Sequence, residues 1–200
     1  MDTGTVWRHI DTQRGELADL LDDLDSADPD CWQTPSLCTG WTVRHVAAHL
    51  THSTLPMPRM LAEAARSGFR FDALVNRMAV GDRRQASEIA ANLRGVVGSR
   101  RHPPGTTAED PLADVLVHTQ DICIPLGIDR PMPTAAAVVA AKRVWQRGFP
   151  FHARRRFAGV RLVASDADFA VGQGRVVEMP IRELLLLLTG RPVETAERLS

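Results

Sequence analysis

The sequence predicts a mainly helical bundle with a small C-terminal α+β region, and three observations carry that prediction. Apolar residues recur at helical spacing through most of the first 145 positions. Short, β-rich segments parted by Gly and Asp follow after about residue 160. Strands and helices do not alternate along the chain, so a parallel-sheet α/β enzyme is not expected. The expected division is a helical bundle over 1–150 and an α+β subdomain over 151–200.

The first helix is predicted from Val6, Ile10, Leu17, Leu20, Leu21 and Leu24, and the acidic, Pro-containing stretch from Asp22 to Pro35 cannot continue it. Thr42 is placed to cap a second helix through Val43, Val46, Ala47 and Leu50. Pro56 and Pro58 break or kink that helix before Met60 to Ala65. Helical character resumes near Asp72 and again from Asp82 to Val97. A loop with Pro103, Pro104 and Gly105 leads to a helix over about Asp110 to Ile124, closed by Pro125 and Gly127. An Ala-rich helix runs from beyond Pro133 to Trp145. Val160 to Ala164, Phe169 to Val171 and Val176 to Met179 then suit small antiparallel strands, and a last helix covers about Ile181 to Thr189.

The 24 basic and 24 acidic side chains cancel, so no whole-molecule field draws nucleic acid or a charged membrane surface, and neither is an expected partner. The chain opens without the basic and apolar regions of a signal peptide, and its longest apolar run, Leu184 to Leu188, is far short of a membrane span. Cys31, Cys38 and Cys123 form no C-x-x-C pair and are odd in number, which favours a reducing compartment, the cytoplasm by default. The Arg and Ala bias, with Lys142 the only lysine, fits a high-GC bacterial genome.

Two helices carry the polar residues of interest. At about 100° per residue, His49 lies at the edge of the buried stripe of the second helix, with His45 and His52 further towards solvent. On the helix beyond the Pro-Pro-Gly loop, His118 lies at the edge of a stripe formed by Leu112, Val115, Leu116, Ile122 and Cys123, with Asp114 and Asp121 just beyond. Asp114 and His118 are four apart and project from neighbouring turns, and His49 from another helix would complete a three-ligand metal site. Three protein ligands leave positions open for catalysis, and mixed imidazole and carboxylate donors suit zinc best among divalent metals. Asp121 would orient an imidazole from behind. Spacing alone leaves a plainer account standing, in which both histidines are half-buried edge residues and both aspartates are solvated. His45 and His49 also form an H-x-x-x-H pair, without the Glu of H-E-x-x-H.

The wording around these residues adds to the spacing. Ser36-Leu-Cys38-Thr-Gly40-Trp41-Thr-Val-Arg-His45-Val-Ala-Ala-His49-Leu50 resembles a signature of the mycothiol-dependent maleylpyruvate isomerase family, part of the wider DinB-like four-helix metal-binding bundles. Asp114-Val-Leu-Val-His118-Thr-Gln-Asp121-Ile122 resembles a second signature, and Gly159 to Asp166 through Gly190-Arg191-Pro192 resembles the small C-terminal α+β region of these proteins. The resemblance implies a metal triad at His49, Asp114 and His118, with Asp114 standing where the family has a Glu one methylene longer. It implies the low-molecular-weight thiol mycothiol as cosubstrate, and isomerisation of, or S-transfer to, a small-molecule electrophile. A noncatalytic metal- or ligand-binding module on the same bundle is the alternative, because fold alone does not carry function. The expected state is a monomer or homodimer.

Other residues complete the expectations. Asp72 and Asn76, at i and i+4, and Arg154, in the Arg154-Arg155-Arg156 cluster, are candidates for binding cosubstrate or substrate, against a solvated-surface reading of each. Trp41 is expected to pack the turn beneath the site. Cys38 reads as a small buried residue and not a nucleophile, because the sequence places no base beside it. Gly172 and Gly174 read as a turn and lack the spacing of a phosphate-binding loop.

Overall fold

The computed structural model describes residues 1–53, 55–103 and 105–193. Pro104 of the expected loop and residues 194–200 of the expected C-terminal region lie outside the described residues. The described chain is mainly helical: α1 (Thr3–Ala27), a 3-10 turn (Pro29–Gln33), α2 (Val43–His52), α3 (Met57–Arg66), α4 (Phe71–Val80), α5 (Ala86–Gly95), α6 (Glu109–Cys123), α7 (Thr134–Gln146), the single turn α8 (Ala153–Arg156) and α9 (Ile181–Leu188). Three strands, β1 (Val160–Ala164), β2 (Ala170–Gly172) and β3 (Arg175–Met179), lie between α8 and α9. No helix among the described residues is long and apolar enough to cross a membrane.

The helix limits follow from local chemistry. Pro56 stands at the N-cap of α3 and Pro58 inside its first turn, where a missing N–H costs nothing, so the chain breaks after α2 instead of kinking. Between α4 and α5, the Asp82 carboxylate accepts from the Arg84 backbone N–H at 3.0 Å, a side-chain turn that delays the helix. Gln85 then opens α5, its N–H donating to Glu88 Oε2 at 2.8 Å.

The chain forms two compact units. One comprises residues 10–106 and 118–129. Its core joins Leu17 and Leu21 of α1, Trp32 of the 3-10 turn, Val43, Val46, Ala47 and Leu50 of α2, Ile89 and Leu93 of α5, and Ile122 of α6. Each large aliphatic side chain buried there contributes about 1.5–3 kcal/mol relative to exposure. The buried Arg14 donates to the carbonyl of Val96 at 3.1 Å, satisfying the C-terminal end of α5.

The other unit comprises residues 1–9, 107–117 and those from Arg130 onward. Its α7 packs against α9, and the buried Ala136, Ala137, Ala140 and Ala141 let the two helices approach closely. The strand order is β2-β1-β3, with β1 antiparallel to β2 but parallel to β3. This corrects the expectation of antiparallel strands throughout. The chain leaves β2 at Gly172, passes the start of β1 and enters β3 at Arg175, so the Gly-Gln-Gly segment is a crossing and not a hairpin. Gly172 (φ +81°) and Gly174 (φ +111°) are required there, since a Cβ at either would lie 2.2 Å from the carbonyl oxygen of Val160 or Gly159.

Candidate functional site

The segment that opens α2 is a tight, fully bonded turn. Ser36 N–H donates to the Trp41 carbonyl at 2.8 Å, Trp41 N–H to the Cys38 carbonyl at 2.9 Å, and Pro35 bridges Thr42. Ser36 Oγ accepts from the Cys38 N–H at 3.2 Å and donates to the Trp41 carbonyl at 2.9 Å. Gly40 takes φ +79°, which closes the turn. Thr42 N–H donates to His45 Nδ1 at 3.1 Å, so His45 serves as the reciprocal partner of the helix cap, and burial, then the neighbouring Arg44, lower its pKa. The turn is tied to α6 by the Leu37 N–H, which donates to the Asp121 carbonyl at 3.2 Å.

This turn and the two helices gather His49, His118, Asp121 and Cys38. The imidazoles of His49 and His118 stand edge to face with centroids 4.9 Å apart, and the Trp41 indole lies 5.4 Å from the His49 ring. His118 Nδ1 lies 2.8 Å from Asp121 Oδ2, and Asp121 is fully buried. A buried carboxylate accepts, so His118 carries its proton on Nδ1 and its metal-binding nitrogen would be Nε2. The two imidazoles of the expected triad thus face each other within one compact unit, and Asp114 stands four residues before His118 on α6. Potential ligand atoms of Cys38, His118 and Asp121, of the same unit as the imidazoles, lie within 4.8 Å of one another.

Cys38 departs from the expectation of a residue with no base beside it. It is half-buried, its Sγ lies 3.1 Å from Asp121 Oδ2 and 3.8 Å from His118 Nδ1, and the turn aims it there. The signal available in sequence was the Cys-x-Gly-Trp turn itself, but nothing in it names a contact 83 residues away. His52 also departs from its expected solvent-facing position. Its side chain is 11 % exposed, and Nε2 lies 3.1 Å from Asp82 Oδ2. Burial pushes the His52 pKa down to about 4 despite that carboxylate. Burial raises the Asp82 carboxyl, but hydrogen bonds from the Arg84 side chain and backbone and from His52 hold it far below its ordinary value. Arg44 donates to the carbonyls of Asp82 and Arg84, which fixes the α4–α5 connection over α2.

Asp72 lies exposed in the first turn of α4. Asn76, also exposed, accepts from Trp41 Nε1 at 2.9 Å and so positions the indole that flanks His49. Arg154 is exposed on α8 and lines a cleft with Trp145, Gln146, Arg147, Gly148, His152 and Arg155. Arg156 does not share that cleft, because its guanidinium donates to the carbonyls of Leu187 and Leu188 at the end of α9.

Comparison with known proteins follows the same lines. No curated protein matches the chain. A solved structure, described as the crystal structure of the mycothiol-dependent maleylpyruvate isomerase, superposes with a TM-score of 0.58 at 15% identity, over 97% of this chain and 91% of that one. The family model for the mycothiol maleylpyruvate isomerase N-terminal domain matches residues 10–102, which include the Cys38–Trp41 turn and His49 but end before α6. Residues 10–102 are therefore similar to the mycothiol maleylpyruvate isomerase N-terminal domain, and the whole chain resembles that isomerase in fold.

Proposed function

We propose that this chain is a metal-dependent enzyme that uses a low-molecular-weight thiol, mycothiol or a close analogue, for isomerisation of, or S-transfer to, a small electrophile. The observation that carries the reading is the facing of His49 on α2 and His118 on α6, ring centroids 4.9 Å apart, with Asp114 four residues before His118 on α6 as the candidate third ligand. The residues fit a divalent ion, with zinc preferred for mixed imidazole and carboxylate donors, and the pairing of His118 with buried Asp121 is the outer support that metal histidines ordinarily have. Bound there, such an ion would hold a thiol as thiolate or polarise a carbonyl.

The protein's own groups supply position. Asp121 fixes the tautomer and plane of the His118 ring. Trp41, held by Asn76, walls one side of His49 with an aromatic face. Asp72, exposed at the start of α4, and Arg154, exposed on α8, are candidates for contacting the cosubstrate's polar groups. Expulsion of water by the indole and the buried faces of α2 and α6 would strengthen each polar contact made inside.

Elemental analysis of tag-free protein beside His49→Ala and His118→Ala tests the reading. The expected result is near-stoichiometric metal in the parent chain and its loss from both variants, with helicity by circular dichroism unchanged. Unchanged metal content in both variants would sink the assignment. Tight metal without thiol consumption against a panel of electrophiles would favour a binding module on the same bundle.

A further inference from the structure

Cys38 has no part in the triad, yet it is among the most tightly directed side chains near it. The turn that carries it is closed by hydrogen bonds among Ser36, Cys38 and Trp41. Leu37 N–H, next in the chain, is tied to the Asp121 carbonyl at 3.2 Å. These bonds set the distance between Cys38 and the Asp121 side chain from both ends. Sγ lies 3.1 Å from Oδ2, the same oxygen that receives His118 Nδ1 at 2.8 Å. A carboxylate has no proton to give, so the thiol is the donor. With Asp121 fully buried, the orientation of its carboxylate is set by the donors that reach it and not by water.

We infer that Cys38 is a positioning residue: its S–H and the His118 Nδ1–H both donate to Asp121 Oδ2, locking the His118 imidazole in the tautomer whose Nε2 binds metal. Cys38, His118 and Asp121 all belong to one compact unit. Its role towards metal rests on the proposed triad, whereas its effect on the His118 proton does not. The chemistry also explains why a cysteine suits this place. Its thiol is a weak donor on a small apolar side chain, so it steers the carboxylate without competing strongly for the proton of His118.

The test uses the full chain, labelled for imidazole nitrogen NMR, and cobalt(II) as the probe metal. In the metal-free parent chain, His118 is expected to carry its proton on Nδ1. Cys38→Ala, and Cys38→Val as a variant that refills the space without a donor, are expected to give a mixture of tautomers and at least about tenfold weaker cobalt binding in competition with a chelator. Cys38→Ser is expected to restore both in large part. Adding Cys38→Ala to Asp121→Asn is expected to weaken binding no further than Asp121→Asn alone, because both act through one carboxylate. An unchanged tautomer in Cys38→Ala and Cys38→Val would overturn the inference. So would a thiolate-to-cobalt charge-transfer band that vanishes with Cys38, since the thiol would then be a ligand. If the parent chain takes up no cobalt, the metal reading fails by itself, and the tautomer in the two Cys38 variants still decides for or against the relay.

Discussion

His118 Nδ1 and Asp121 Oδ2 lie 2.8 Å apart, three residues from each other on one helix, with the carboxylate shut away from solvent. The pair is short because both groups sit on the same face of α6 and the Cys38 turn closes over them. Asp121→Ala is expected to cost about 1–3 kcal/mol in urea denaturation of the metal-free protein, since a buried N–H loses its acceptor. Metal affinity, measured by chelator competition, is expected to fall about 10–100-fold.

His45 and His49 are four residues apart on α2, and they differ in work. His45 Nδ1 is taken by the Thr42 backbone N–H, whereas the His49 ring faces His118. His45→Ala is expected to cost about 1 kcal/mol through the loss of a helix cap, with metal content unchanged. Elemental analysis beside a thermal melt checks both halves.

The His52–Asp82 pair makes stability depend on pH in one direction. His52 is held near pKa 4 when folded and reverts to 6.5 when unfolded, so the unfolded chain binds more protons between those values. Stability is therefore full above about pH 6.5 and declines as pH falls towards 4, by on the order of 3 kcal/mol. Asp82, depressed when folded, adds a further loss as pH falls below its ordinary value of 3.8. Chemical denaturation at a series of pH values should show this slope, and His52→Gln should flatten it between pH 6.5 and 4.

Gly40 and Gly174 both take positive φ, but only Gly174 has backbone in the way. A Cβ at Gly40 meets nothing within 4 Å, whereas at Gly174 it lies 2.2 Å from the Gly159 oxygen. Gly40→Ala is expected to cost about 1–2 kcal/mol from backbone conformation alone. Gly174→Ala should cost clearly more, or abolish the soluble fold, as read by the urea midpoint and recovery from expression.

Local signals made most of the helices legible. Apolar spacing, Thr42, Pro56 and the Gly127 stop placed α1, α2, α3 and α6 within a few residues of their observed ends. Long-range packing was not legible. The angular count that put His52 towards solvent knew the stripe of α2 but not that Asp82 and Arg84 fold over it. The neighbours of Cys38 are not legible in the sequence because the residues that meet it lie on a helix far along the chain. Three short β segments read as antiparallel because a Gly-Gln-Gly link looks like a hairpin, and only the pairing shows that it passes the start of β1.

That link also fixes how the sheet can be mispaired. Its two intervening residues, Gln173 and Gly174, act as a strap of set length across the end of β1, so sliding β2 one way must drag β3 the other way along the same central strand. A slip of β3 by one residue would turn Val177 and Met179, both now buried, out of the core. Strands of three and five residues, too short to hold their own alignment, are thus kept in register by the shortness of their connection.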